Sequence, residues 1–406
     1  MPLIRTVTLG AALLFSPLWA TSIVFAADST TAAVKPVAEL PEIARLVDPL
    51  TFSDGTKVRN RQDWERRRAE LKKLFEDYEY GSLPPKPERV EILRGEVIIN
   101  KQFGVSTQNF VISMGQGYGN LDVHFSLNIP LNAKGKVPVV IQAGDGGLSP
   151  LPPWPGFPPP PVQTGPDIFT QRGYATASFR YTQLAADNKD TARKGGIYTL
   201  FNDQIDTGAL MAWAWGMHRI IDVLTTQPRI DINKVVVTGH SRYGKASLIA
   251  GAFDERIALT VPSHSGAAGA APYRFIYGKN EQLHNIAGYA PQWFRPGFEQ
   301  FVDHVNQLPV DQHLLKALVA PRALLTTEGT LDEWTNPQGS QLTYLAAKQA
   351  YEFLDAADKI SIKYRPVGHI PSNEDLLDYA DHLFFGKPLS KEFGELPYEV
   401  DTNARK

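Results

Sequence analysis

One serine in this chain stands where a serine becomes a nucleophile. The run KVVVTGHSRYGKASL over 234–248 reads as an apolar strand, a sharp turn carrying Ser241, and then a helix. That is the geometry of a nucleophile elbow. The strand lifts the serine Oγ to the end of a parallel sheet, and the helix N-terminus behind it favours negative charge. The usual elbow is spaced G-x-S-x-G. Here Tyr243 stands two residues after Ser241, and Gly244 comes one later. Arg242 and Lys245 add two cations beside the serine. A serine nucleophile needs a base, and the base needs a carboxylate to orient it. Around such elbows the chain order is serine, acid, histidine. Of nine histidines, His313, His369 and His382 lie well downstream. His382 falls inside a helical pattern and reads as structural. His313 lies in a loop-to-helix stretch with no strand before it. His369 directly follows the strand pattern at 360–364, where catalytic loops gather, and is the expected general base. The strand pattern at 323–326 leads into EGTLDEW, and Asp332 is the expected acid. Glu328 and Glu333 compete with it, because spacing alone does not separate three nearby carboxylates. The Arg242 N–H is the expected oxyanion donor, with its guanidinium adding a charge-assisted bond. The turn Gly144-Asp145-Gly146-Gly147 reads either as a simple turn or as a second donor loop.

These residues need a sheet to position them. An amphipathic helix is expected over 64–80, stopped by Gly81, Pro84 and Pro85. Strand-like runs follow at 90–93, 96–100, 109–114 and 124–129, with the hairpin spacing of antiparallel strands. The apolar run at 137–142 reads as a strand buried on both faces. From there strands at 175–179, 234–238, 259–262, 322–326 and 360–366 alternate with helices at 207–226, 242–253, 341–354 and 374–385. Such alternation predicts a parallel sheet with right-handed crossovers. With the antiparallel start and the elbow it predicts an α/β-hydrolase fold, a three-layer sandwich of mostly parallel sheet between helices.

The 406 residues suffice for a large core, and one domain is expected over 46–396. A net charge of −2 implies no polyanionic partner. Residues 1–26 read as a signal peptide, with Arg5, an apolar stretch and a V-F-A cleavage site. A leader is expected over 27–45 and a tail over 397–406. With no cysteine, the chain uses neither disulfides nor a thiol nucleophile. A secreted or periplasmic bacterial protein, free of membrane after cleavage, is the expectation. The proline-dense stretch 149–165 reads equally as a stiff surface loop or as a cleft wall with Trp154 and Phe157 as platforms.

The motif GHSRYGK at 239–245 resembles the G-C-S-R-x-G-K motif of the glucuronoyl esterases, carbohydrate esterase family 15. The displaced glycine is then a family trait. The resemblance extends to residues 64–84, AWAWG at 212–216, GAFDER at 251–256, DEW at 332–334 and the surroundings of His369. It implies a serine esterase that cleaves the ester between (4-O-methyl-)glucuronic acid on xylan and a lignin alcohol, with no metal or cofactor and acting as a monomer. It implies sugar contacts from Lys245, Gln282 and Trp334, and oxyanion support from Arg242. Many members carry their acid glutamate before a Ser-Gly or Thr-Gly pair, where this chain has His264 before Ser265-Gly266. Bacterial members that place the acid in a D-x-W motif match Asp332-Glu333-Trp334, so the bacterial type is expected. A sugar-binding glutamate of some members falls at Ala290. The alternatives are an acetyl-xylan or other carbohydrate esterase of the same fold, or a non-catalytic homologue.

Overall fold

A computed structural model describes residues 34–143 and 167–402. The expected signal peptide, the turn at 144–147 and the proline-dense stretch 149–165 lie outside the described residues. Nine strands form one sheet: β1 (Arg89–Asn100), β2 (Val105–Gln116), β3 (Gly119–Pro130), β4 (Val137–Ala143), β5 (Ala175–Phe179), β6 (Ile230–His240), β7 (Ile257–Ser263), β8 (Ala323–Gly329) and β9 (Ile360–Arg365). Their order across the sheet is β1-β2-β3-β5-β4-β6-β7-β8-β9. The first three strands and the β3–β5 pair are antiparallel, and from β5 to β9 every pair is parallel. The helices longer than one turn are α1 (Arg61–Phe75), α2 (Ala209–Leu224), α3 (Arg242–Phe253), α4 (Leu283–Tyr289), α5 (Gln312–Ala317), α6 (Pro337–Phe353) and α7 (Asn373–Phe385). This is the α/β-hydrolase arrangement.

The central strands are apolar on both faces because both faces are covered. Val139, Ile141, Val235 and Val237 pack with α2 and α3 on one side. Val140, Val236, Leu259, Val261 and Leu325 pack with Leu376, Leu377 and Ala380 of α7 on the other. Alternate residues of one strand therefore serve two layers. Helix α2 is apolar on every side through its first nine residues and, apart from Arg219 and Asp222 near its end, buried, as expected for a helix enclosed by its neighbours. Its Trp213 indole donates to the Ala185 carbonyl at 3.0 Å, so the one polar atom of that ring is satisfied.

Three local readings change. The runs at 90–93 and 96–100 are one strand, β1, whose register on β2 shifts between Arg94 and Val97. Gly95 marks a β-bulge there, since the ladder carries on past one extra residue. The helix expected to reach Tyr80 is α-helical only to Phe75 and continues as a wider turn over Glu76–Tyr80. The short helix α4 was not anticipated, whereas α5 falls in the loop-to-helix stretch expected around His313. Residues on both sides of the expected 46–396 domain also pack on it. Arg274 donates to the Ile43 carbonyl at 3.0 Å, and the Tyr398 ring packs on Tyr364 with centroids 5.6 Å apart. Among the described residues, no helix is long and apolar enough to cross a membrane.

Candidate active site

Strand β6 runs straight into α3, and Ser241 is the hinge. Its φ of +59° and ψ of −125° are rare for a residue with a side chain. Such strain persists only where the surroundings enforce it. Two glycines make the turn possible. A Cβ on Gly239 would lie 2.5 Å from the Tyr243 backbone. One on Gly244 would lie 3.0 Å from the carbonyls of Gly239 and Ser263. The displaced glycine thus still lets the helix close against the strand ends. Tyr243, which takes the usual glycine position, packs against Tyr181 with ring centroids 4.6 Å apart. The Ser241 N–H donates to the Ser263 carbonyl at 2.9 Å. The Arg242 N–H opens α3, where no preceding turn offers it a carbonyl.

His369 lies in the loop after β9, and Asp332 in the loop after β8. The Thr330 N–H donates to the Arg365 carbonyl at 2.9 Å, and the Leu331 N–H to the Val367 carbonyl at 3.1 Å, stitching the two loops together. His369 Nδ1 lies 2.7 Å from Asp332 Oδ2. A carboxylate only accepts, so Nδ1 carries a hydrogen, and in the neutral ring Nε2 is then the lone-pair nitrogen. That is the tautomer a general base requires. The elbow is adjacent, for the His240 ring lies tilted against His369 with centroids 4.2 Å apart. A second imidazole meets the same oxygen, with His264 Nδ1 2.8 Å from Asp332 Oδ2. Burial raises the Asp332 pKa, but the two imidazole bonds outweigh it and hold the carboxyl well below the usual range. His240 is pushed down to about 4 by burial and by its two histidine neighbours, so it is neutral at working pH.

The rival groups sit elsewhere. Glu333 is exposed to solvent. Glu328 is fully enclosed, and burial pushes it up to about 8. His313 is buried with Nε2 2.6 Å from the Val47 carbonyl. His382 sets Nδ1 against the Lys387 carbonyl at 2.8 Å. Among the described residues, His264, Asp332 and His369 are close enough to share a metal ion. Both Nδ1 atoms already meet one carboxylate oxygen at hydrogen-bond distance, so the cluster is closed as a hydrogen-bonded set.

The cations flanking Ser241 are both held. Arg242 is half-exposed, and its guanidinium meets Asp187 Oδ2 at 2.5 Å. The other Asp187 oxygen accepts from Trp293 Nε1 at 2.6 Å and Gln292 Nε2 at 3.0 Å. Lys245 is buried. Its ammonium meets Glu281 Oε2 at 2.7 Å, donates to the Ala267 carbonyl, and lies 5.6 Å from the Trp293 ring centre. Burial lowers the Lys245 pKa, and Glu281 partly offsets this. Among the described residues, two of its three N–H donors are engaged, which leaves one. Glu281 also accepts from the Tyr289 hydroxyl. The Glu281 N–H donates to the Trp334 carbonyl at 2.8 Å, which sets Gln282 beside Trp334. Gln282 is half-buried at the start of α4, and Trp334 is 48% exposed. Ser241, Arg242 and Lys245 thus share the start of α3. Asp332, Trp334 and His369 share the stitched loops, and Gln282 joins them through Glu281. Sequence reasoning missed Asp187, Glu281 and the His264 bond. Their partners lie 55, 36 and 68 residues away, so no local spacing marks them.

Residues 112–355 match a family model described as glucuronyl esterase, fungi. A 4-O-methyl-glucuronoyl methylesterase of Podospora anserina is 35% identical over 81% of this chain, which spans 64% of that relative's length. A family 15 glucuronoyl esterase from Caldicellulosiruptor kristjansonii is 34% identical with a TM-score of 0.74, covering 90% of this chain and 97% of that one. A serine-to-alanine mutant of the Sporotrichum thermophile glucuronoyl esterase, solved with methyl 4-O-methyl-β-D-glucopyranuronate, is 28% identical. Its TM-score is 0.72, with 89% of this chain and 94% of that chain covered.

Proposed function

This chain is a member of the glucuronoyl esterase family, and on that premise we propose that it is a secreted, monomeric serine esterase. Its substrate is the ester between (4-O-methyl-)glucuronic acid on xylan and a lignin alcohol. The observation that carries the mechanism is the 2.7 Å bond from His369 Nδ1 to Asp332, beside a strained Ser241 at a helix N-terminus. His369 Nε2 takes the Ser241 proton as Oγ attacks the ester carbon. The carbonyl oxygen becomes an oxyanion and is met by the Arg242 N–H and guanidinium. Collapse of the tetrahedral intermediate expels the alcohol, which leaves with the proton from His369. Water, deprotonated by His369, then attacks the acyl-enzyme, and a second collapse frees glucuronic acid and Ser241. Asp332 keeps the imidazole in register and stabilises its charged form. The remaining Lys245 donor, Gln282 and Trp334 form the sugar contacts.

Asp332, following β8, is the acid in this reading. That is the arrangement the sequence resemblance assigned to bacterial members, although the matched family description and the Podospora relative are fungal. The acid assignment rests on the hydrogen bond to His369.

The test sets benzyl glucuronate beside acetylated xylo-oligosaccharides, with wild type and Ser241→Ala. Turnover of the glucuronate ester that vanishes in Ser241→Ala supports the proposal. Preference for the acetylated substrate favours an acetyl-xylan esterase, and activity that survives in Ser241→Ala rejects the serine mechanism.

A further inference from the structure

Asp332 receives two imidazole hydrogen bonds on one oxygen, and a triad uses only one of them. The second comes from His264, whose ring has no exposed surface and whose Nε2 has no protein partner among the described residues. We propose that His264 is a positioning residue that holds the Asp332 carboxylate in place for His369; this rests on the triad reading above.

Three features support it. First, the bond fixes the ring. The carboxylate oxygen only accepts, so His264 Nδ1 carries a hydrogen. In the neutral ring the enclosed Nε2 is then a bare lone pair, and buried acceptors go unpaired more often than buried N–H donors. Second, the backbone is bent to deliver the ring. His264 has φ +47°, a left-handed conformation uncommon for any residue with a side chain, which histidine enters more readily than most. Its N–H donates to the Thr327 carbonyl on β8 at 2.9 Å. Third, the neighbours are fitted to it. A Cβ on Gly329 would come within 2.8 Å of His264 Cε1.

The place in the fold gives the reason for such a strut. The end of β7 lies between the nucleophile strand and the acid strand. Ser263 offers its carbonyl to the Ser241 N–H at 2.9 Å, and the next residue offers its ring to Asp332. Two consecutive residues thus set the nucleophile's backbone and the acid's carboxylate at once. With His264 lost, a buried carboxylate would keep only one of its two imidazole bonds.

Two substitutions separate positioning from packing. His264→Leu fills space without a donor. His264→Asn keeps an N–H near the Nδ1 position. On benzyl glucuronate, His264→Leu is expected to lower kcat by about 10–100-fold, by analogy with the loss of a group that orients a metal ligand, with KM little changed. His264→Asn should recover most of that kcat. Full kcat in His264→Leu, or equal loss in both variants, overturns the proposal. Proton NMR of the 15N-histidine-labelled wild type gives a test that needs neither activity nor a folded leucine variant. Two Nδ1–H signals bonded to the Asp332 carboxylate are expected at low field, apart from that of His382 on the Lys387 carbonyl, with one of the two remaining in His264→Asn. A single such signal in the wild type overturns the proposal. Two signals in an enzyme that does not hydrolyse glucuronate esters would instead count against the functional reading alone.

Discussion

Replacing Asp332 by Asn keeps the side-chain shape and removes its charge. The carboxylate holds His369 at 2.7 Å and His264 at 2.8 Å. If the amide oxygen takes the Oδ2 position, both bonds survive as neutral ones. If the amide turns round, His369 must accept at Nδ1 and its base nitrogen becomes protonated. In either case the imidazolium formed during attack lacks its counter-charge. Two unit charges at about 4 Å, with an effective dielectric of about 20, attract by about 4 kcal/mol. Lost charge assistance in the hydrogen bond adds about 1 kcal/mol. A total of about 5 kcal/mol corresponds to roughly 10³–10⁴ in rate, in line with the loss of about 10⁴ when a triad acid becomes an amide. Initial rates on benzyl glucuronate should show this fall in kcat with KM little changed. Glu333→Ala is the control. Its side chain is exposed, and surface changes cost within about 0.5 kcal/mol, roughly twofold. Asp332→Asn within tenfold of wild type, or Glu333→Ala falling as far, would refute the assignment.

Arg242→Ala should lower kcat by about 10²–10³, as loss of an oxyanion donor does. Asp187→Asn, which loosens the guanidinium from its 2.5 Å partner, should cost about tenfold; both are read in kcat on the same ester. Gly329→Ala should cost on the order of 10² in kcat, because a Cβ there would lie 2.3 Å from the Val367 carbonyl and 2.6 Å from that of Gly368. Both are backbone atoms of the His369 loop, and small displacements of a catalytic group are expensive. Burial pushes the Glu79 carboxyl up to about 7 from its ordinary 4.5. Between those values the folded chain keeps a proton the unfolded chain has released, so stability falls as pH rises through that window, by about 3 kcal/mol from this group. Urea unfolding at pH 5 and pH 8 should show Glu79→Gln losing less stability between the two than wild type, by about that amount.

What could be read from the sequence was what is local. Ser241 announces itself because strand, turn and helix are contiguous, and His369 and Asp332 because each follows its own strand in the order the elbow demands. Spacing singled out Asp332 without separating it from Glu328 and Glu333. That separation depends on which side chain the β8–β9 stitching turns toward His369, and on Glu328 lying enclosed beneath the site. His264 stood out as a departure from the family pattern, yet its bond to Asp332 follows only from β7 lying beside β8 in the sheet. Asp187 and Glu281 are ordinary carboxylates in sequence, and become part of the site only when distant loops bring them to Arg242 and Lys245. The bulge in β1 was hidden for a related reason: Gly95 looks like the end of a strand until β2 shows the ladder continuing past it.

The central claim is that Ser241 is an activated nucleophile under the control of His369 and Asp332. Reaction of the full enzyme with a fluorophosphonate, followed by peptide mass spectrometry, tests it most directly. The account predicts one adduct, on the peptide carrying Ser241, absent from Ser241→Ala and formed far more slowly in Asp332→Asn. An adduct on another residue, or none in an enzyme that still hydrolyses glucuronate esters, would contradict it.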